Sequence, residues 1–385
     1  MLTLSSRFWA LRYLPKAALK LVVCVSILAT SGCTSPRSGQ VEGKLPDLAP
    51  SFGESTHGFV PLSPSLRGSR DTLRNATHDR EGRLVLRDGG LLESQLHPWA
   101  RPFDEVLLSW NATVPDGAGL VVEVQLASLD RDEQTPWLHL GGWGETPPRE
   151  ERVTEFDGGR VAVDVVTCEK TFDAFRYRLS AIGKSNAPVI VHQTYACITL
   201  RSDLATLEPA PPAVGIELTL DVPARSQKLA KESIAPRICS PTSVAMVLAH
   251  NGVDLSLEDL AAEIYDADHD IYGNWPRAVQ AAFTHGVPGA LVRLSSWGAV
   301  ESFLRAGVPL VVSVKAEPGE LRGAPYPRTS GHLIVLCGFD GRGRIVVNDP
   351  AAGELVGVRR IYEASDLENC WMRRGGVAYA LGPRQ

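Results

Sequence analysis

The spacing of apolar residues changes once along this chain, across the proline-rich stretch "LEPAPPAVG" at residues 207–215. Before it, apolar and polar residues alternate. In "VVEVQLA" Val122, Val124 and Leu126 share one face and Glu123 and Gln125 the other; in "AFRYRLSA" Phe175, Tyr177 and Leu179 lie opposite Arg176 and Arg178. A period of two marks strands buried on one side. "RLVLRDG", "EVLLSWNA", "WLHLGGWG", "RVAVDVV" and "VIVHQTYACITL" continue the pattern, and no convincing helix interrupts it. Many short strands in succession leave few architectures, and the expectation for residues 80–206 is an all-β sandwich or jelly roll.

Beyond the prolines the period becomes helical. "SPTSVAMVLAH", "SLEDLAAEIYDA", "NWPRAVQAAFTHG" and "WGAVESFLRAG" carry apolar residues three and four apart. Ser256, with Glu258 and Asp259 after it, makes a sound helix start, and Gly252 and Gly286 fall just past helix ends. The strands "PLVVSVK", "GHLIVLCGFD", "RIVVNDP" and "GVAYALG" close the chain, an α+β order for residues 216–385. Prolines extend and stiffen a connection, so 207–215 reads as a linker between two domains. A chain of 385 residues has room for both plus a tail. Its net charge of -5, without a long basic block, argues against nucleic acid as a partner.

The first 33 residues stand apart from the fold. Arg7, Arg12, Lys16 and Lys20 precede the apolar run "LVVCVSILA", which ends in "TSGC" at Cys33. This is the layout of a secretory signal, with an apolar run too short to span a bilayer comfortably. Ser31, Gly32 and Cys33 resemble the lipobox of bacterial lipoproteins, which implies lipidation of Cys33 and anchorage of an exported protein to a bacterial membrane. Residues 34–79, rich in Pro, Gly and Ser, read as a disordered tether.

Export permits disulfides. Cys168, Cys197, Cys239, Cys337 and Cys370 are odd in number, so at least one thiol is expected to be free. Cys168 and Cys197 are candidates for a bridge or for buried free thiols. Trp99, Trp110, Trp137 and Trp143 could line a surface for a glycan or peptide, although tryptophans more often fill a core.

Cys239 opens a helical pattern, with Ser240 and Pro241 directly after it. Free N–H groups and the helix dipole lower a thiol's pKa at that position, which favours a nucleophile. Pro suits the first turn because its missing N–H has no partner there, and Thr242 and Ser243 suit a solvated helix end. A nucleophile needs a base. His250, His269 and His285 sit at helix ends or in loops, whereas His332 begins the strand "HLIVLCGF", far from Cys239 in sequence and at the mouth of a sheet. A two-residue turn at Asp340 and Gly341 places His332 directly opposite Asp349. A four-residue turn over "DGRG" leaves Asp349 diagonal on the same face, and a turn of odd length presents Asn348 instead. Asp349 is the preferred orienting group. The N–H of Cys239 and the side-chain amide of Gln227 are the candidate donors to an oxyanion.

These residues carry a resemblance. "VPARSQ", "CSPTSVAMVLAHNGV", "YGNWPRAVQAA" and "SGHLIVLCGFDGRGRIVVNDPAAG" are similar to the C39-like branch of papain-fold cysteine peptidases, over roughly residues 215–385. The resemblance implies a papain-like α+β fold with Cys239 as nucleophile, His332 as general base and acid, Asp349 as orienter and Gln227 as oxyanion donor. Ser240 stands where the family usually has Gly. "FDEVLLSWNATVP" and "WLHLGGWGE" also resemble the β-rich segment that precedes the peptidase in some exported bacterial proteins of this kind. The expected activity is hydrolysis of a peptide or protein substrate through a thioester, with no metal or cofactor. "DADHDIYG" at 266–273 alternates acids like a calcium loop, but Ile271 occupies the place of the turn glycine and Arg277 that of the last carboxylate. Two other readings fit the same residues: acyl or peptidyl transfer, and a cell-surface binding protein whose papain-like half only presents a groove.

Overall fold

A computed structural model describes residues 57–62 and 71–384. The signal segment with Cys33 and much of the tether lie outside the described residues. The first half contains β1 (His57–Pro61), β2 (Thr72–His78), β3 (Leu84–Glu93), β4 (His97–Thr113), β5 (Ala118–Ser128) and β6 (Glu133–Gln134). It continues with β7 (Leu138–Gly144), β8 (Glu155–Phe156), β9 (Gly159–Ala162), β10 (Val165–Gly183) and β11 (Val189–Thr199).

Two of these strands correct the tether. Residues 57–61 pair antiparallel with β11, from His57 opposite Thr199 to Pro61 opposite Tyr195. Pro61 ends its strand, where a missing N–H costs the ladder little. β2 pairs with β3 at the end of the sheet and is largely exposed, so it has no buried face to impose an alternating pattern.

The expected sandwich is also corrected in detail. The eleven strands form one hydrogen-bonded sheet, in the order β2-β3-β11-β4-β10-β5-β6 with short strands attached. β3 pairs with β10 as well as with β11, so the sheet wraps back upon itself. β10 turns the corner: residues 165–167 pair with β4 and 174–183 with β5, with register shifts at Thr167/Phe172 and Phe172/Ala174 between them. Bulges let a strand bend in this way and pass from one layer to another. Phe103, Trp110, Phe175 and Tyr177 fill the enclosed core. Trp137 lies beneath the guanidinium groups of Arg176 and Arg178, and Trp143 beneath that of Arg277.

The second half contains β12 (Glu217–Thr219), α1 (Cys239–His250), α2 (Leu257–Ile264), α3 (Trp275–Thr284), β13 (Gly289–Arg293) and α4 (Trp297–Arg305). Then come β14 (Leu310–Ala316), β15 (Thr329–Asp340), β16 (Arg344–Asn348), β17 (Arg359–Glu363), α5 (Ala364–Cys370) and β18 (Val377–Leu381). Its sheet is antiparallel, in the order β13-β18-β14-β15-β16-β17 with β12 against β15. α1, α2 and α3 cover one face through Val244, Val247, Leu260 and Val279; α4 and α5 cover the other through Phe303, Leu304 and Leu367. The helices are short, and strands bear more of this half than its helical patterns suggest.

The halves share a buried polar seam. β13 is an edge strand, and an edge leaves backbone N–H and C=O groups unpaired. Side chains of the first half supply the missing partners. Asn111 donates to Gly289 O at 2.6 Å and accepts from Gly289 N at 2.8 Å, Ser109 Oγ accepts from Leu291 N, and Cys197 Sγ donates to Leu291 O. In return the Gln280 amide on α3 bonds both backbone groups of Ala112. Leu107, Val165 and Cys197 join the same apolar cluster as α1.

All five cysteines among the described residues are free. Cys168 and Cys197 form no bridge because they face different clusters, Cys168 the core of the wrapped sheet and Cys197 the seam. Burial pushes both thiols up to about 12.

Candidate active site

Cys239 is the first residue of α1, with Ile238 as its cap. The start of this helix is buried rather than solvated, which corrects the expectation for Thr242 and Ser243. Ser240, Thr242 and Ser243 are fully buried, and two of them have partners for that reason. Ser240 Oγ and Tyr379 Oη are 3.1 Å apart, and Ser243 Oγ donates to Leu333 O at 3.0 Å. Ser240 is thus a tie between α1 and β18. Ser243 fastens α1 to β15 one residue beyond His332.

His332 and Asp349 meet at the hairpin of β15 and β16. Asp349 Oδ1 accepts from His332 Nε2 at 2.8 Å, and both residues are buried, Asp349 completely. The turn is neither of the even-length forms: Asp340 and Arg344 flank Gly341, Arg342 and Gly343, and both glycines have a φ of 79°. An odd turn alone would turn Asn348 toward His332. A bulge at Cys337 restores the parity, because Gly338 pairs with Val346 but Leu336 pairs with Val347. Asp349 therefore lies diagonal to His332 on the same face. Asn348 is used elsewhere, donating to Val222 O and accepting from Arg359 Nε. Cys337 is buried in the cluster beneath α1, and burial pushes its thiol up to about 12.

With Nε2 held by Asp349, the other ring nitrogen of His332 is left for Cys239. Burial opposes ionisation of the Cys239 thiol, but hydrogen bonding to His332, its charge, and the N–H groups of Leu333 and Ser240 outweigh that and hold the thiol below its ordinary range. Burial likewise opposes a charged His332, and its contacts with Asp349 and Cys239 overcome this to raise the imidazole well above its usual value. Asp349 is driven up by burial and brought down further by His332, the Ala351 N–H and the Tyr362 hydroxyl, with a net lowering. Tyr362 donates to Asp349 Oδ2 at 2.9 Å and Ala351 N donates to Oδ1 at 3.0 Å. The balance of charge favours a thiolate beside an imidazolium.

Gln227 sits next to this cluster. Its N–H donates to Pro350 O at 2.9 Å and its Nε2 donates to Ala235 O at 2.8 Å, so the residue bridges the segments just after Asp349 and just before Cys239. Nε2 carries a second hydrogen. The other histidines considered have different partners: His250 the carbonyl of Asp221, His269 the carboxylate of Asp266, and His285 that of Glu263.

Two residues at the site were not singled out from the sequence. Tyr362 is on β17, one strand beyond Asp349, and its alternation with exposed Ile361 and Glu363 is the pattern that could have revealed an inward hydroxyl. Tyr326, in the loop before β15, packs edge-on to the His332 ring at 4.8 Å between centroids. Nothing periodic surrounds it in sequence.

Residues 219–379 match the model of the Peptidase_C39 like family, and residues 63–196 match that of the Peptidase C39 N-terminal domain. The chain carries a C39-like peptidase domain. The architecture thus has two parts, a β-rich N-terminal region and the C39 peptidase domain. Among solved structures, the chain is similar to a double glycine motif protease from an AMS/PCAT transporter, in complex with the leader peptide. That match has 19% identity and a TM-score of 0.30, and covers 44% of this chain and 96% of the other. The peptidase domain of Streptococcus ComA, a bi-functional ABC transporter, matches at 16% identity and a TM-score of 0.28, covering 39% of this chain and 93% of its own. No curated protein is a match.

Proposed function

We propose that the protein is an exported cysteine peptidase acting on a peptide-type substrate. The observation that carries this is the line Cys239, His332, Asp349, in which the shifts of the thiol and imidazole favour an ion pair. Cys239 Sγ attacks the scissile carbonyl carbon, and the oxyanion is met by the Cys239 N–H and the free hydrogen of Gln227 Nε2. His332 passes its proton to the leaving amine as the C–N bond breaks, leaving a thioester on Cys239. It then takes a proton from water, which attacks the thioester and releases the acid. Asp349 holds the imidazole in the orientation that both steps need. Cys239 at a helix start and His332 on a facing strand support a papain-like reading of the site.

The matched C39-like domain supports a peptidase. Residues 1–33 as export signal, with Cys33 as a lipid anchor, rest on the sequence pattern alone; mass spectrometry of the mature N-terminus tests them. The test of the activity is alkylation of Cys239 by iodoacetamide across pH, with the modified residue located by mass spectrometry, in the wild type and His332→Ala. Fast labelling at a pH below the ordinary thiol range, slowed by the substitution, is the expected result. Labelling no faster than that of an unperturbed thiol removes the basis for the reading.

A further inference from the structure

Asp164 lies between β9 and β10, in a two-residue hairpin made with Val163. Val163 has a φ of 63°. That conformation is ordinary for Gly at the first position of such a turn and a marked outlier for a β-branched residue. The Asp164 N–H closes back on Ala162 O at 2.8 Å, the bond of a tight γ-type turn. Strain of this kind persists only where the surroundings enforce it, and it gathers at functional sites.

The turn carries a carboxylate into the seam between the two domains. Asp164 is 5% exposed and lines a cleft of about 400 Å³ together with Val165, Trp275, Ser313, Lys315 and Val377. Trp275 N donates to Asp164 Oδ2 at 2.9 Å. Ser313 on the cleft floor pairs with Leu333, whose N–H bonds the Cys239 sulfur, so the floor lies one strand, roughly 5 Å, from the residue that touches the nucleophile.

Among the described residues Asp164 forms no ion pair, since His269, whose charge acts on it from farther off, is engaged by Asp266, whereas the guanidinium groups around the cleft already have anions. Arg293 pairs with Glu105, Arg201 with Asp104 and Arg374 with Glu320. Lys315 is exposed rather than set against the carboxylate. A buried carboxylate without an ion-pair partner is costly, and here burial, with the nearby charge of Asp266, lifts its pKa to about 7 despite the Trp275 N–H at the start of α3 and the charge of His269. A ligand that brings a cation removes that cost.

We propose that this cleft is the groove for the substrate beside Cys239, and that Asp164 binds an ammonium group of the substrate, either its N-terminal amine or a lysine side chain. The proposal rests on the peptidase reading and assigns the N-terminal domain a direct part in substrate selection. It does not follow from the Trp275 contact, which an amide oxygen makes equally well.

The test uses the full mature protein and its Asp164→Asn variant, which keeps an acceptor for the Trp275 N–H. Each is treated with peptidyl chloromethyl ketones that label Cys239: one with a free N-terminus, one acetylated with a lysine in the peptide, and one acetylated with norleucine there. The expected result is labelling of the wild type about tenfold or more faster by one of the two ammonium reagents, which also identifies the source of the ammonium. Asp164→Asn is expected to erase that preference, bringing the favoured ammonium reagent to within about twofold of the neutral one in the same variant. Equal rates with all three reagents, or a preference unchanged in the variant, overturn the ammonium site and leave the peptidase reading standing. Failure of every reagent to label Cys239 overturns both.

Discussion

His332 and Asp349 are diagonal neighbours across a hairpin whose turn has the wrong parity for them, and the extra residue at Cys337 is what brings them together. Side chains alternate along a strand, so one residue gained in the turn and one gained in the bulge cancel. The pair is then held from outside the hairpin by Tyr362 and the Ala351 N–H, which also donate to Asp349.

Asp349→Ala removes the acceptor that fixes His332 Nε2 and leaves the Tyr362 hydroxyl without its partner. Peptide cleavage is expected to fall by about a hundredfold or more in kcat, since orienting carboxylates contribute on that scale. Tyr362→Phe leaves the His332 contact in place. Its expected loss is less than about tenfold in kcat with about 1 kcal/mol of stability. Steady-state kinetics and urea unfolding of the two variants separate orientation of the base from support of the fold.

The contrast between these residues shows how far the sequence could be read. His332 and Asp349 stand near one another in sequence and on the same face in both even registers considered, so their meeting was legible although the turn was not. The helix start at Cys239 was legible because such a start has a local signature. The seam was not. Asn111 and Gln280 satisfy backbone groups in the opposite half of the chain, and no local pattern announces a partner more than a hundred residues away. β1 and β2 were hidden for a related reason: edge strands with exposed faces lack the alternation that marks buried ones.

The pH dependence follows from the two opposed shifts. Cys239 is lowered and His332 raised, so the thiolate–imidazolium form spans a window that opens below the ordinary thiol range and closes above the ordinary imidazole range. Peptide cleavage in kcat/KM is expected to rise with pH as the pair loses its first proton and to fall as it loses the second, both values belonging to the pair. In His332→Ala the burial of Cys239 acts without its counter-charge, and the onset of alkylation moves to higher pH than in the wild type. An onset that does not move shows the imidazolium to have no hold on the thiol.

Gln227 separates chemistry from activation. Its side chain touches neither His332 nor Asp349 through a hydrogen bond, and its bond is to Ala235 O. Gln227→Ala is expected to lower kcat by about a hundredfold, in line with the loss of one oxyanion donor, while the rate of Cys239 alkylation stays within about twofold. Alkylation passes through no tetrahedral oxyanion. A parallel fall in both rates assigns Gln227 to the support of the site instead.

Asn111 is the severest test of the seam, because it stands far from Cys239 in the chain and is 1% exposed. Its amide completes the edge of β13 with two hydrogen bonds, so Asn111→Ala strands a buried N–H and a buried C=O of Gly289 together. Two unsatisfied groups of that kind cost roughly 3 kcal/mol. Denaturant unfolding of the variant is expected to show that loss in a single transition for both parts, since Leu107, Val165 and Cys197 share an apolar cluster with α1. Two separate transitions in the wild type, with Asn111→Ala altering neither midpoint, show instead that the β-rich domain and the C39-like domain fold independently. The edge of β13 then needs no partner from the first half.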